Sequence, residues 1–289
     1  MGSSQQHDLV GDGATAGPVA PRRGRRTAPQ PVPDVLAAGS ERAPFRGNLL
    51  LIDLPPGDAE HLATRAHRVR LDRKATVMTP GSPINSVYFP ETGALSEFVL
   101  MADGSAVEVG FIGSEGMAGW PAVFGSHVSG VWVVCQMSGL FLQFATTELA
   151  AEVDRNPELH RRLHHHAAAV IGQRAISAGC DRHHNVVERA ARHLLAARDL
   201  RVDDELVVTH EFLALRLGVQ RPTVTVALAE LERLGAVTHR RGQVTVVDRA
   251  CLEQITCECY WAMRREIARH LDWLPALLRT SFSDASGAA

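Results

Sequence analysis

Three regimes of apolar patterning divide the chain. Residues 1 to 44 are rich in Gly, Pro, Ala and Arg and show little hydrophobic periodicity. Such a segment buries too little surface to offset its ordering entropy and is expected to remain a disordered tail. Order is expected to begin near Asn48, with a short helix around Ala59 to Ala66. From Val69 to Phe144 the pattern becomes short alternating runs separated by turn signals at Thr79-Pro80-Gly81, Pro90 to Gly93, Ala102-Asp103-Gly104 and Ile112-Gly113-Ser114. Asp103-Gly104 between two alternating runs is the strongest hairpin signal in the chain. Many short strands at regular spacing predict a jelly-roll or barrel. The period then becomes helical. A reach from about Thr147 to Ala178 carries Leu159, Leu163, His166, Val170, Gln173 and Ser177 in a narrow seam. A second helix follows over Asn185 to Leu200, and a last one over Arg249 to His270.

The stretch from Thr209 to Val247 reads as two short helices, a tight turn and a basic hairpin. Thr209 can cap the first helix, and Gly218 supplies its left-handed end. The second helix begins near Gln220, tolerates Pro222 in its first turn and ends at Gly235. Val224, Leu228 and Leu231 share one face and must point to the core, which turns Arg221, Thr223, Val226, Glu230 and Arg233 outward. Arginine can pair with both acceptors of a guanine, threonine with bases or phosphates, and a valine methyl with a thymine methyl. A helical hairpin with a solvated outer face has the same apolar spacing. The hairpin that follows, turning at Arg241-Gly242, argues for the DNA reading, because a wing carrying Arg240 and Arg241 suits phosphate contacts. The expected DNA-binding residues are Thr209, Gln220, Arg221, Thr223, Thr225, Val226, Arg240 and Arg241.

The order of Gly218-Val219, Arg221 to Val224, Arg241-Gly242, and Val247-Asp248-Arg249 to Leu252-Glu253 resembles the winged helix of the Crp/Fnr family of bacterial transcription regulators. The resemblance is close over the C-terminal third. It implies an α+β fold: an N-terminal antiparallel β-roll (jelly-roll) like a cyclic-nucleotide-binding domain, a long dimerisation helix and a C-terminal winged helix-turn-helix. The domain boundaries expected from pattern and resemblance together are 1–44 tail, 45–146 β-roll sensor, 147–181 dimerisation helix, 182–275 DNA-binding domain and 276–289 flexible tail. The implied partners are double-stranded DNA, a second copy of the chain and RNA polymerase. The implied mechanism is a homodimer on an inverted repeat, controlled by a signal in the roll. Where many family members carry an acidic residue after the first arginine and another arginine four positions on, this chain has Pro222 and Thr225, so the family's familiar half-site is not expected.

Composition adds limits. The 289 residues are 45% hydrophobic with a formal net charge of -2, so no global basic field announces nucleic acid and the DNA argument rests on local charge. The cluster Arg22 to Arg26 suits a solvated tail better than a phosphate contact. No apolar run approaches the roughly 18 to 20 residues of a membrane span, and a signal-peptide core is lacking. The five cysteines form no paired C-x-x-C motifs, which argues against a disulfide framework or a zinc ribbon and for a reducing cytoplasm.

Candidate chemistry is sparse. For a cyclic nucleotide the resemblance implies a glycine-rich turn with a glutamate, then an arginine for the phosphate. Phe111 to Met117 supplies the first part through Gly113, Glu115 and Gly116, which are the candidate effector residues. Ser126 to Cys135 contains no arginine. A buried phosphate without a cation carries a large desolvation cost, so cyclic AMP and cyclic GMP are not expected, and no cofactor is assigned. Cys257 and Cys259, two apart on an expected helix, point to different faces and make poor joint ligands. Among the 14 histidines, His160 and His164 lie one helical turn apart, but the general-base glutamate of a zinc protease is missing between them. No metal ligands and no catalytic residues are assigned, and no enzyme activity is expected. A competing reading is a small-molecule sensor module whose winged helix makes protein contacts.

Overall fold

The computed structural model describes residue 45 and residues 47–102, 105–199, 205–206, 209–240 and 243–273. The tail expectations for 1–44 and 276–289, the hairpin tip at Asp103-Gly104 and the wing tip at Arg241-Gly242 lie outside the described residues.

A short helix α1 (Pro56–Ala63) leads into seven strands: β1 (His67–Leu71), β2 (Thr76–Met78), β3 (Ser86–Pro90), β4 (Ala94–Leu100), β5 (Ala106–Ile112), β6 (Trp132–Met137) and β7 (Gly139–Ala145). They form two antiparallel sheets, ordered β1-β7-β3 and β2-β6-β4-β5. Phe89, Leu95, Val133, Phe141 and Phe144 belong to one buried apolar core, with Phe141 and Phe144 on opposite faces of β7. β4 and β5 pair from Leu95↔Ile112 to Leu100↔Ala106, as the Asp-Gly hairpin signal requires.

The helical reach begins one residue earlier than expected and is broken once. α2 (Thr146–Arg155) ends at Asn156, whose side chain accepts a hydrogen bond from Leu159 N and so starts α3 (Pro157–His183). Proline at the first position of α3 removes a donor that has no helical partner there. Arg162, buried on α3, donates to the carbonyls of Leu50, Ile52 and Asp53 and pairs with Glu158, which fixes the N-terminal loop to the helix.

The C-terminal domain contains α4 (Val186–Asp199), α5 (His210–Leu217), α6 (Arg221–Arg233) and a sheet of β8 (Glu205–Leu206), β10 (Gln243–Val246) and β9 (Val237–Arg240), in the order β8-β10-β9. The third strand, β8, was not visible in the alternation. Leu194, Leu213, Val224, Leu228, Leu231 and Val244 form a second core. The expected helix from Arg249 to His270 is two helices, α7 (Arg249–Ile255) and α8 (Cys259–Arg269), because the backbone turns extended at Thr256. α8 packs back along α3. The bare Gly172 lets the Glu266 side chain of α8 lie directly against α3. No described helix is long and apolar enough to cross a membrane.

Two surfaces of α3 are apolar. The expected seam faces the chain's own body: Leu159, Leu163 and His166 are buried in or against the roll, and Val170, Gln173 and Ser177 line an internal cavity. This corrects the register of the seam, because a helix adjoining a sheet spends its most apolar stripe on that sheet first. A second row, His160, His164, Ala168, Ile171, Ala175, Ala178 and Arg182, faces solvent at spacings of three and four. Ile171 is 62% exposed.

Candidate nucleic-acid interface and junction cavity

The reading head is built by local rules. The Thr209 hydroxyl accepts from Phe212 N at 3.1 Å, capping α5, and Gly218 ends that helix at φ +62. The left-handed residue reverses the chain within two residues, so α6 starts at Arg221 after the Gln220 cap position. Val224, Leu228 and Leu231 are fully buried, as their spacing requires. Arg221, Thr223, Thr225 and Val226 are exposed together with Gln220, and Val226 is 69% exposed. Arg221 and Arg240 have no carboxylate partner among the described residues, whereas Arg233 is held by Glu230 at 2.6 Å on the same helix.

Two of the expected contacts serve the protein itself. The Thr209 hydroxyl is used as the cap. The Thr225 hydroxyl donates to Arg221 O at 3.2 Å and accepts from His210 Nδ1 at 3.0 Å, which fixes α5 against α6. The His210 ring lies beside that of His239 on the wing, with centroids 5.8 Å apart. Burial, then the His239 and Arg221 charges, push the His210 imidazole below its ordinary range. Arg240 closes β9, paired with Gln243 across the wing. Arg241 lies outside the described residues.

A cavity of about 300 Å³ separates the roll from the helices. Its walls come from β4 and β5, the turn after β5, and helices α3, α4, α5 and α8. Of the candidate effector residues, Glu115 reaches it and Gly113 and Gly116 do not. Glu115 lines it and folds back so that Oε1 accepts from Gly113 N at 3.1 Å, and burial raises its carboxyl. Gly116 lies against the buried His166 ring. The stretch 126–135 indeed supplies no arginine, but Arg174, Arg192, Arg216 and Arg264 reach the cavity from the helices. Reading the strands alone misses them, because the carboxylate partners of Arg174, Arg216 and Arg264 lie 65 to 108 residues away in sequence. Arg174 pairs with Glu97, Arg216 with Glu108 and Arg264 with Asp199. Arg192 has no carboxylate partner among the described residues; it donates to His193 Nε2 at 2.9 Å and contacts Met263 Sδ at 3.3 Å. Burial, with the Arg192 charge second, holds His193 well below its ordinary range and therefore neutral.

The pair Arg216 and Glu108 joins the reading head to the roll. Arg216 Nε lies 3.0 Å from Glu108 Oε1, with both side chains almost wholly buried, and its guanidinium stacks 4.1 Å from the Phe111 ring. Desolvation pushes Glu108 up and Arg216 down despite their mutual attraction.

A further group stands at the end of α3. Cys180, His184, Cys257 and Cys259 converge with their donor atoms within 4.8 Å of one another. This overturns the geometric premise on which no metal ligands were assigned: Cys257 precedes α8 and Cys259 opens it, so the pair straddles a helix start and turns inward together. Cys180 and His184, one helical turn apart, were the available sequence signal. The hydrogen bond from Cys257, aided by the Arg192 charge, draws the Cys180 thiol down to about 5. Cys135, by contrast, is an isolated core thiol pushed up to about 12 by burial. His160 and His164 stack on the solvent face of α3 without a third ligand among the described residues.

A β-roll, a long helix and a winged helix-turn-helix follow one another along the chain. Residues 188–255 match the Crp-like helix-turn-helix domain. Over 66% of this chain and 98% of the other, the fold is similar to FixK2 from Bradyrhizobium japonicum, at 18% identity and a TM-score of 0.58. A regulator of the crp/fnr family from Eubacterium rectale gives 16% identity and a TM-score of 0.58 over 70% of this chain and 95% of its own. The regulator CLP of Xanthomonas campestris, described as c-di-GMP responsive, gives 20% and 0.54 over 67% and 100%. Comparison with curated protein sequences gives no match. The chain carries a Crp-like helix-turn-helix domain on the fold of the Crp/Fnr-family transcription regulators.

Proposed function

We propose that the protein is a sequence-specific transcription regulator whose homodimer binds an inverted repeat under the control of a small effector in the junction cavity. The observation that carries this reading is the N-terminal end of α6, where Arg221, Thr223 and Val226 are exposed beside the wing and Arg221 has no carboxylate partner among the described residues. The free amides and positive end of a helix attract phosphate, while the arginine fork reaches base edges. Two such helices one DNA turn apart would enter successive major grooves. The exposed row of small and apolar residues on α3 suits contact with the same row of a second copy.

Control follows from the position of the cavity. It lies between the roll and α5, so a ligand that prefers one spacing of the two shifts the population of DNA-competent dimers. Arg192, which has no carboxylate in ion-pair contact among the described residues, suits an anionic group on that ligand. Binding beside a promoter then recruits or excludes RNA polymerase.

Selection of bound fragments from a random DNA pool tests the reading and supplies an operator. On that operator Arg221→Ala is expected to weaken binding about 5- to 150-fold and to relax one base position. Equal weakening on every sequence would show that Arg221 contacts only phosphate. Arg240→Ala is expected to leave base preference intact and to reduce the salt slope of log affinity by about 1. An unchanged slope removes Arg240 from the contacts.

A further inference from the structure

We propose that Cys180, His184, Cys257 and Cys259 form a zinc site that staples the end of the long helix α3 to the junction between α7 and α8. The ligands come from two segments about 75 residues apart in sequence, and three of the four are buried. Their separations fit one ion. Cys180 Sγ and Cys257 Sγ lie 3.6 Å apart, and Cys259 Sγ lies 3.7 Å from His184 Nδ1. A tetrahedral zinc with ordinary bond lengths has sulfur–sulfur edges of about 3.8 Å and sulfur–nitrogen edges of about 3.6 Å. A disulfide needs a sulfur–sulfur distance of about 2.05 Å, so the close thiols are not a bridge. Four donors within 4.8 Å leave room for a single ion and not for a multi-iron cluster.

The surroundings have the parts that a zinc site requires. His184 Nε2 lies 3.0 Å from Glu258 Oε2, so the far nitrogen donates to a carboxylate and Nδ1 keeps its lone pair toward the thiols. That arrangement fixes the ring and raises the basicity of the ligating nitrogen. Three thiolates and one neutral imidazole match the Cys₃His set of closed, structural zinc sites, with no position left for water. Binding releases the thiol protons, and the resulting net charge of the filled site is -1. Arg192 supplies a positive charge nearby.

The position of the site gives it a consequence beyond local stability. Met263, Arg264 and Ile267 of α8 form one wall of the junction cavity, and α3 forms another. An ion fixing the start of α8 to the end of α3 holds those two walls at a set distance.

The test uses the full chain, purified under reducing conditions without chelator, with zinc as the probe. The expected result is close to one zinc per chain after dialysis, and tetrahedral thiolate bands when Co(II) replaces it. A strong chelator is expected to lower Tm by about 5 °C or more, and added zinc to restore it. His184→Ala and Cys257→Ser are expected to lose the ion, whereas Cys251→Ser, outside the cluster, keeps it. A reduced, folded wild-type chain that retains no zinc and takes up no Co(II) overturns the proposal, independently of how the variants fold. So does undiminished zinc in a folded Cys257→Ser, Cys259→Ser double variant.

Discussion

Arg216→Ala will destabilise the protein by about 3 to 5 kcal/mol. The reason is the carboxylate left behind. Glu108 is buried on β5, its Oε2 has no hydrogen-bond partner among the described residues, and Arg216 supplies the main opposing charge. The arginine itself is held over the Phe111 ring, and Glu108 is its carboxylate partner among the described residues. Replacing both members tests whether the loss belongs to the orphaned charge or to the pair. Glu108→Leu with Arg216→Met should restore stability to near the wild-type value, because the desolvation of two buried ions roughly cancels their attraction.

The pH dependence has a definite sign. A carboxyl whose folded pKa is raised favours the folded state fully below the unfolded value, and that contribution is lost as pH rises through the folded value. Removal of Arg216 takes away the largest factor lowering the Glu108 carboxyl. The deficit of Arg216→Ala relative to wild type should therefore shrink as pH falls toward the unfolded carboxyl value and widen above it. Urea unfolding at several pH values measures this. A deficit that does not change with pH would mean that lost packing against Phe111, not the stranded charge, sets the cost.

If the proposed homodimer forms through α3, Ile171→Glu combined with Ala175→Glu will give monomers and weaken binding to an inverted repeat by about 10²- to 10⁴-fold, while single half-site affinity stays near wild type. Both positions lie on the exposed row of α3, so the substitutions place carboxylates opposite one another across a twofold contact without touching either core. Like charges at such a contact are costly, and the effective concentration of the second reading head disappears with the dimer. Sedimentation and binding to whole and half operators separate the two effects. Persistence of the dimer would place the twofold contact elsewhere. The same double substitution at Leu163 and His166 would unfold the roll instead, since that stripe is buried within one chain.

The reading head was legible because its structure obeys local rules. Thr209 caps, Gly218 reverses, and three apolar residues at helical spacing decide which side of α6 faces out. The antiparallel roll was legible in the same way, from alternation and turn residues. The break of α7 from α8 was not, because Thr256 to Glu258 carry no proline or glycine to announce it. The face of α3 was ambiguous for a different reason: a helix with two apolar rows gives a sequence no means of saying which row meets the roll and which meets solvent.

Sequence alone thus determined most of the elements, though not β8 or the breaks at Asn156 and Thr256, together with the outward set Arg221, Thr223 and Val226 and the family resemblance, since each depends on neighbours within about one or two helical turns. Tertiary structure decided the rest. The junction arginines and the group of Cys180, His184, Cys257 and Cys259 are assembled by packing α3 against α8 and α5 against β5. Ion pairing and ligand convergence depend on distances of a few ångströms between residues far apart in the chain, and periodicity carries no information about those distances.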